Sequence, residues 1–159
     1  MTLIVLGIDP GLNRTGYAVL EHNGKDSRLR EAGVLTTRET DSLGPRLNTI
    51  YKGLEDIISE FGPDMMVIEN VYSHYSHPQT AVIMGHARGI AFLAAAEKNI
   101  PVACYASTRI KKSITGNGRA SKIQVQRSIK AIMKLEKAPE PFDVADAIAV
   151  ALCHIEGLR

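Results

Sequence analysis

The sequence lacks an apolar run long enough to cross a bilayer. Its longest stretches, such as Gly89 to Ala96, fall far short of the roughly 20 residues a spanning helix needs, so no membrane association is expected. Cysteine is scarce. The two present, Cys104 and Cys153, lie far apart in apolar surroundings, which argues against a disulfide framework or a zinc site and suits buried free thiols in the cytoplasm. The apolar start from Leu3 to Ile8 has no basic leader or small-residue cleavage site and is interrupted by Asp9, so it reads as a strand of the mature protein. Linkers, low-complexity tracts and internal repeats are also missing. With 45% hydrophobic residues, a chain of 159 can bury a real core, and one compact domain is expected.

Acids are nearly absent from one long segment. Arg109 to Lys137 holds nine Lys or Arg and a single acid, Glu136; the rest of the chain has ten basic residues against sixteen acidic ones, a net of minus six. A solvated surface would mix both signs, whereas a phosphate-binding surface concentrates one, so nucleic acid is the favoured partner.

The hydrophobic periodicity predicts alternating elements. Leu3 to Asp9, Thr15 to Glu21 and Arg30 to Thr37 read as strands of an antiparallel meander, with turn chemistry at Gly11 to Gly16 and at Asn23-Gly24. Leu47, Ile50, Tyr51, Leu54, Ile57, Ile58 and Phe61 recur at helical spacing between Pro45 and Gly62-Pro63. Met65 to Ile68 is a short strand. A helix from about Gln79 to Lys98 is apolar or small around much of its circumference, and Gly85, Ala87, Gly89 and Ala91 would admit a second backbone closely, from the sheet or from another subunit. Val102 to Tyr105 is a further strand and Ser107 to Ile114 a short helix. Ser121 with Gln124 forms a capping box for a helix to Leu135, and a last helix runs from about Asp143 to Glu156. The expected class is α/β, a mixed five-stranded sheet with helices on both faces.

Four carboxylates stand where carboxylates are unfavourable. Asp9 and Glu69 each terminate an apolar strand, although either alone could be turn chemistry or a strand end meeting water. Asp143 and Asp146 share a face near the N-terminus of the last helix. Asp143 is compatible with an N-cap. Asp146 is followed on its stripe by Ala149, Val150 and Cys153, and no Lys or Arg on that helix offers a partner. A bound cation would satisfy all four acids together. Oxygen ligands without His or Cys point to Mg²⁺ or Mn²⁺, and four carboxylates suffice for two ions, the arrangement used for phosphoryl transfer.

Gly7-Ile8-Asp9-Pro10-Gly11, Thr15-Gly16-Tyr17, Glu69 at a strand end, Ala87-Arg88-Gly89 and Asp143-Val-Ala-Asp146-Ala together resemble the RuvC family of Holliday junction endonucleases, over essentially the whole chain. The resemblance implies a single ribonuclease H-like nuclease domain over residues 1–159. It makes Asp9, Glu69, Asp143 and Asp146 catalytic metal ligands for two Mg²⁺ ions per active site, with Mn²⁺ able to substitute. It also implies a homodimer that nicks four-way junction DNA in recombination and repair, and association with a RuvA–RuvB branch-migration complex. Lys111 and Lys122 align with family lysines near the scissile phosphate, with Gly116-Asn117-Gly118 as a flexible approach between them. Lys122, Gln126, Lys130 and Lys134 would form a phosphate-gripping stripe at i, i+4 spacing. Tyr72 stands where the family commonly has Phe and can stack on a base. Its loop also carries His74, Tyr75 and His77, read as DNA-contacting rather than metal-binding, and the short stretch after the last helix leaves no tail for another contact.

Three other functions are compatible with parts of this pattern. Gly7 to Gly16 also resembles the phosphate loop of actin-like ATPases and sugar kinases, although the chain has no room for their second lobe. A noncatalytic junction-binding module and a ribonuclease H-like nuclease for another branched or hybrid substrate are the others; metal-dependent nicking and substrate competition separate them.

Overall fold

A computed structural model describes residues 1–71 and 78–158. Three strands, β1 (Leu3–Asp9), β2 (Arg14–His22) and β3 (Ser27–Thr36), form the predicted meander, with Leu3 opposite His22 and Asp9 opposite Gly16. The β2–β3 turn follows from Asn23, whose side-chain carbonyl accepts the backbone N–H groups of Lys25 and Asp26 at 3.0 and 2.8 Å. Helix α1 (Leu43–Phe61) begins two residues before Pro45, which sits in the first turn where its missing N–H costs nothing. It stops at Gly62 in the left-handed region, φ 54°.

Strand β4 (Met65–Glu69) then pairs parallel with β1, Ile8 opposite Ile68, and β5 (Val102–Tyr105) pairs parallel with β4, Glu69 opposite Tyr105. The sheet order is β3-β2-β1-β4-β5. Helices α2 (Pro78–Glu97), α3 (Ser107–Thr115), α4 (Lys122–Ile132) and α5 (Phe142–Glu156) complete the described chain. The capping box at Ser121 is present, with Gln124 N–H donating to Ser121 Oγ and Ser121 N–H to Gln124 Oε1. Helix α4 ends three residues before the expected Leu135, because the chain reverses at Lys134 with φ 52°.

The alternation of each strand divides the core between two faces. Leu6, Ile8, Met66 and Ile68 pack against Ile50 and Leu54 of α1 and Ala87 and Ala91 of α2. Val5, Leu20 and Val67 pack on the other side against Ile110, Val125, Ile148 and Leu152 of α3, α4 and α5. Asp9 shares the register of Val5, and Glu69 that of Val67, so both acids end their strands on the α5 face. Helix α5 lies directly on the strand backbones. A Cβ on Gly7 would come within 2.2 Å of the Ala147 carbonyl oxygen, and one on Gly16 within 2.1 Å of the Asp143 carbonyl oxygen. Glycine is therefore required at both places, and together they fix the depth at which α5 sits.

Candidate active site

Parallel pairing of β1 with β4 brings Asp9 and Glu69 to the same end and face of the sheet. The chain beyond Asp9 is held by side chains. Buried Thr15 donates its hydroxyl to the Gly11 carbonyl at 2.7 Å, and Thr37 donates to the Leu12 carbonyl at 2.6 Å. Asp146, in the second turn of α5, faces the two strand-terminal acids. Asp9, Glu69 and Asp146 line one cleft of about 200 Å³, together with Ser107, Lys111, Lys122 and an apolar floor of Ile110, Val125 and Ala149.

The electrostatics follow from crowding like charges in a half-dry cleft. Burial pushes the Asp9 carboxyl up to about 8, assisted by Asp146, Glu69 and Asp143 and opposed by Lys122. Burial likewise pushes Asp146 up to about 6, with Glu69 and Asp143 raising it and Lys122 and Lys111 lowering it. Glu69 is also raised by burial, against a hydrogen bond from Ser107 and the charges of Lys111 and Lys122. Two lysines therefore do not supply enough positive charge for the acids they face.

Asp143 occupies a different position from the other three. It is not the N-cap, which is Pro141, but a first-turn residue of α5. It lines an adjoining cleft with Gly11, Asn13, Arg14 and Phe142, and its Oδ2 lies 4.0 Å from Arg14 Nη1. Among the described residues, no three carboxylate, thiol or imidazole side chains converge closely enough to enclose an ion. The donor set nevertheless fits a hard divalent cation. It is all carboxylate, and its raised proton affinities mark a place short of positive charge.

The predicted DNA contacts separate. Lys111 and Lys122 line the carboxylate cleft. Lys130 is exposed two turns farther along α4, about 12 Å away at 1.5 Å per residue, and lines neither cleft. The expected stripe is shorter than the sequence suggests: Gln126 Nε2 donates to the Pro139 carbonyl at 2.9 Å, and Lys134, beyond the helix, lines a separate cleft with Lys25 and Asp26 of the β2–β3 turn. Tyr72, His74, Tyr75 and His77 lie outside the described residues. Sequence reasoning missed Ser107 and Arg14. In the sequence Ser107 reads only as a helix start, the hydroxyl just past the end of β5 being its one signal, and Arg14 reads as turn chemistry.

A mixed sheet with an antiparallel meander, helices on both faces and carboxylates at the ends of its two central strands defines the ribonuclease H-like class. Residues 5–154 match the family model for crossover junction endodeoxyribonuclease RuvC. The protein of that name from Rhodopirellula baltica is 51% identical over 149 residues, covering 94% of this chain and 84% of the relative. That from Alkaliphilus oremlandii is 42% identical over 152 residues, covering 96% and 92%. A solved structure of Thermus thermophilus RuvC in complex with Holliday junction substrate matches with a TM-score of 0.89 at 30% identity, covering 99% of this chain and 95% of the other. This chain belongs to the RuvC family.

Proposed function

We propose that this protein is a structure-selective DNA endonuclease that resolves four-way junctions by paired symmetric nicks, in recombination and repair. The observation that carries the reading is the convergence of Asp9, Glu69 and Asp146 from three elements into one cleft beside Lys111 and Lys122, in a chain of this family. Asp9, Glu69, Asp146 and, from the lip, Asp143 would hold Mg²⁺, two ions per site, with Mn²⁺ as a substitute. When bound, the metal supplies the positive charge that polarises the phosphodiester and the attacking water. Ser107 keeps the Glu69 carboxylate oriented through its hydrogen bond. Lys111 and Lys122 bind the phosphate and offset the charge that develops on it. Lys130 contributes a phosphate contact at a distance, and Tyr72 a stacking contact to a base.

Paired nicking calls for two sites, and α2 offers the surface for a homodimer. Its Ala87, Ala91, Ala94 and Ala95 are buried on the sheet side. Val82, Ile83 and Leu93 remain 62%, 45% and 48% exposed, and the space beside Gly85 and Gly89 is open. An isologous contact through this face would set two equivalent clefts against a two-fold junction. Cleavage then takes place in the cytoplasm within a RuvA–RuvB branch-migration complex, an assignment that rests on the family. No described helix is long and apolar enough to cross a membrane.

The test is a substrate panel: a synthetic four-way junction, a matched linear duplex and an RNA–DNA hybrid, each with and without Mg²⁺. The expected result is paired nicks in the junction alone and only with metal. Preferred cleavage of the hybrid, or binding without any nicking across many junction sequences, would replace this function with another.

A further inference from the structure

Asp143, which lines a different cleft from the other three acids, has a cation beside it. Arg14 stands at the lip of the cleft, and its Nη1 lies 4.0 Å from Asp143 Oδ2, with the two side chains 56% and 32% exposed. A pair this long and this wet contributes little stability and exchanges easily. Its geometry is also poor for Arg, whose planar fork is made for bidentate contact with an oxyanion. The backbone beneath it, by contrast, is held firmly. Arg14 opens β2 opposite Thr36, and its neighbour Asn13 accepts from Arg46 through Oδ1 and from the Thr37 N–H through its carbonyl, the latter at 3.1 Å. The side chain can swing while its anchor stays fixed.

The space in front of Arg14 is a second cleft that opens into the first. The outer cleft, about 530 Å³, is walled by Gly11, Asn13, Arg14, Phe142 and Asp143, and it meets the carboxylate cleft at Lys122, which lines both. A strand whose scissile phosphate lies beside Lys111 and Lys122 therefore has a continuous exit past Arg14. Phosphate is the ligand that competes with a carboxylate for a guanidinium.

We propose that Arg14 is an exchangeable counterion: it pairs with Asp143 in the DNA-free protein and transfers to a phosphate of the junction strand, releasing the Asp143 carboxylate to the metal site. Substrate binding then completes the ligand set. Arg14 is a DNA-contacting and positioning residue, and the proposal rests on the junction-cleaving function above.

The test compares wild type with Arg14→Gln and Arg14→Lys in two assays that do not involve cleavage. The first is equilibrium binding of a four-way junction in EDTA across a salt series. Losing one phosphate contact lowers the slope of log affinity against log salt by about 0.9, so the Gln variant should show that reduction and the Lys variant should keep the wild-type slope. The second is Mn²⁺ binding to the DNA-free protein by paramagnetic resonance, where the Gln variant should bind severalfold more tightly because Asp143 has lost its competing cation. A wild-type slope in the Gln variant overturns the phosphate contact, and unchanged Mn²⁺ affinity overturns the exchange. A wild-type protein that ignores junctions fails differently: it removes the junction-cleaving function, and this inference with it.

Discussion

Asp9 ends a strand whose preceding residues are buried, and its carboxyl is pushed from 3.8 up to about 8, first by burial and then by Asp146, Glu69 and Asp143. A carboxyl whose proton affinity rises on folding stabilises the fold in its protonated form. That stability is complete below about pH 4 and is lost as pH climbs through 8, at roughly 1.4 kcal/mol for each tenfold change in affinity. Asp146 adds a loss of the same sign between about 4 and 6. The metal-free protein should therefore melt several degrees lower at pH 8 than at pH 5, Asp9→Asn should flatten the trend, and Mg²⁺ should restore part of the difference. Calorimetry in EDTA checks this, and a wild-type melting temperature that rises with pH would contradict it. Asp9, Glu69 and Asp146 were legible because each interrupts an apolar pattern that has a structural period. The place of Asp143 was not, since i, i+3 spacing fixes a shared helix face but says nothing of a cation arriving from β2.

Helix α5 is the element on which the site depends. Almost all of it is buried, and its first turn rests on Gly16 while its second rests on Gly7. Gly16→Ala must push the N-terminus of α5 outward, moving Asp143 and Asp146 away from Asp9. Such overpacking costs about 1–3 kcal/mol, so the variant should stay folded with a lowered melting temperature and lose far more nicking than junction binding. Equal losses in parallel assays would show that α5 does not set the spacing. Element boundaries were readable where hydrophobic period and turn chemistry agree: β1 and β5 have the expected limits. They were less so for α4, whose basic and apolar pattern continues past Ile132 although the backbone turns at Lys134. Periodicity reports which side chains want water, and the chain reversal that returns Leu135 to the core satisfies the same preference without a helix.

At the scale of the molecule, the basic segment of the sequence does not form one surface. Lys111 and Lys122 face the carboxylates, whereas Lys134 lies beside Leu152 and Glu156 at the other end of α5. A charge count along a chain cannot distinguish these ends. For the homodimer proposed through the exposed apolar face of α2, Val82→Glu with Leu93→Glu should convert a dimer to a monomer in sedimentation and abolish paired nicking, and a double variant that remains dimeric would move the contact elsewhere. The assignment of Asp146 to the active site is tested most directly by measuring junction binding and junction nicking together for wild type and Asp146→Asn. The substitution keeps the size of the side chain and removes the charge, so the predicted result is a folded protein that binds the junction with affinity close to wild type and makes no nicks in Mg²⁺. Nicking that survives would contradict the assignment of the active site, and loss of binding together with the fold would make Asp146 a structural residue.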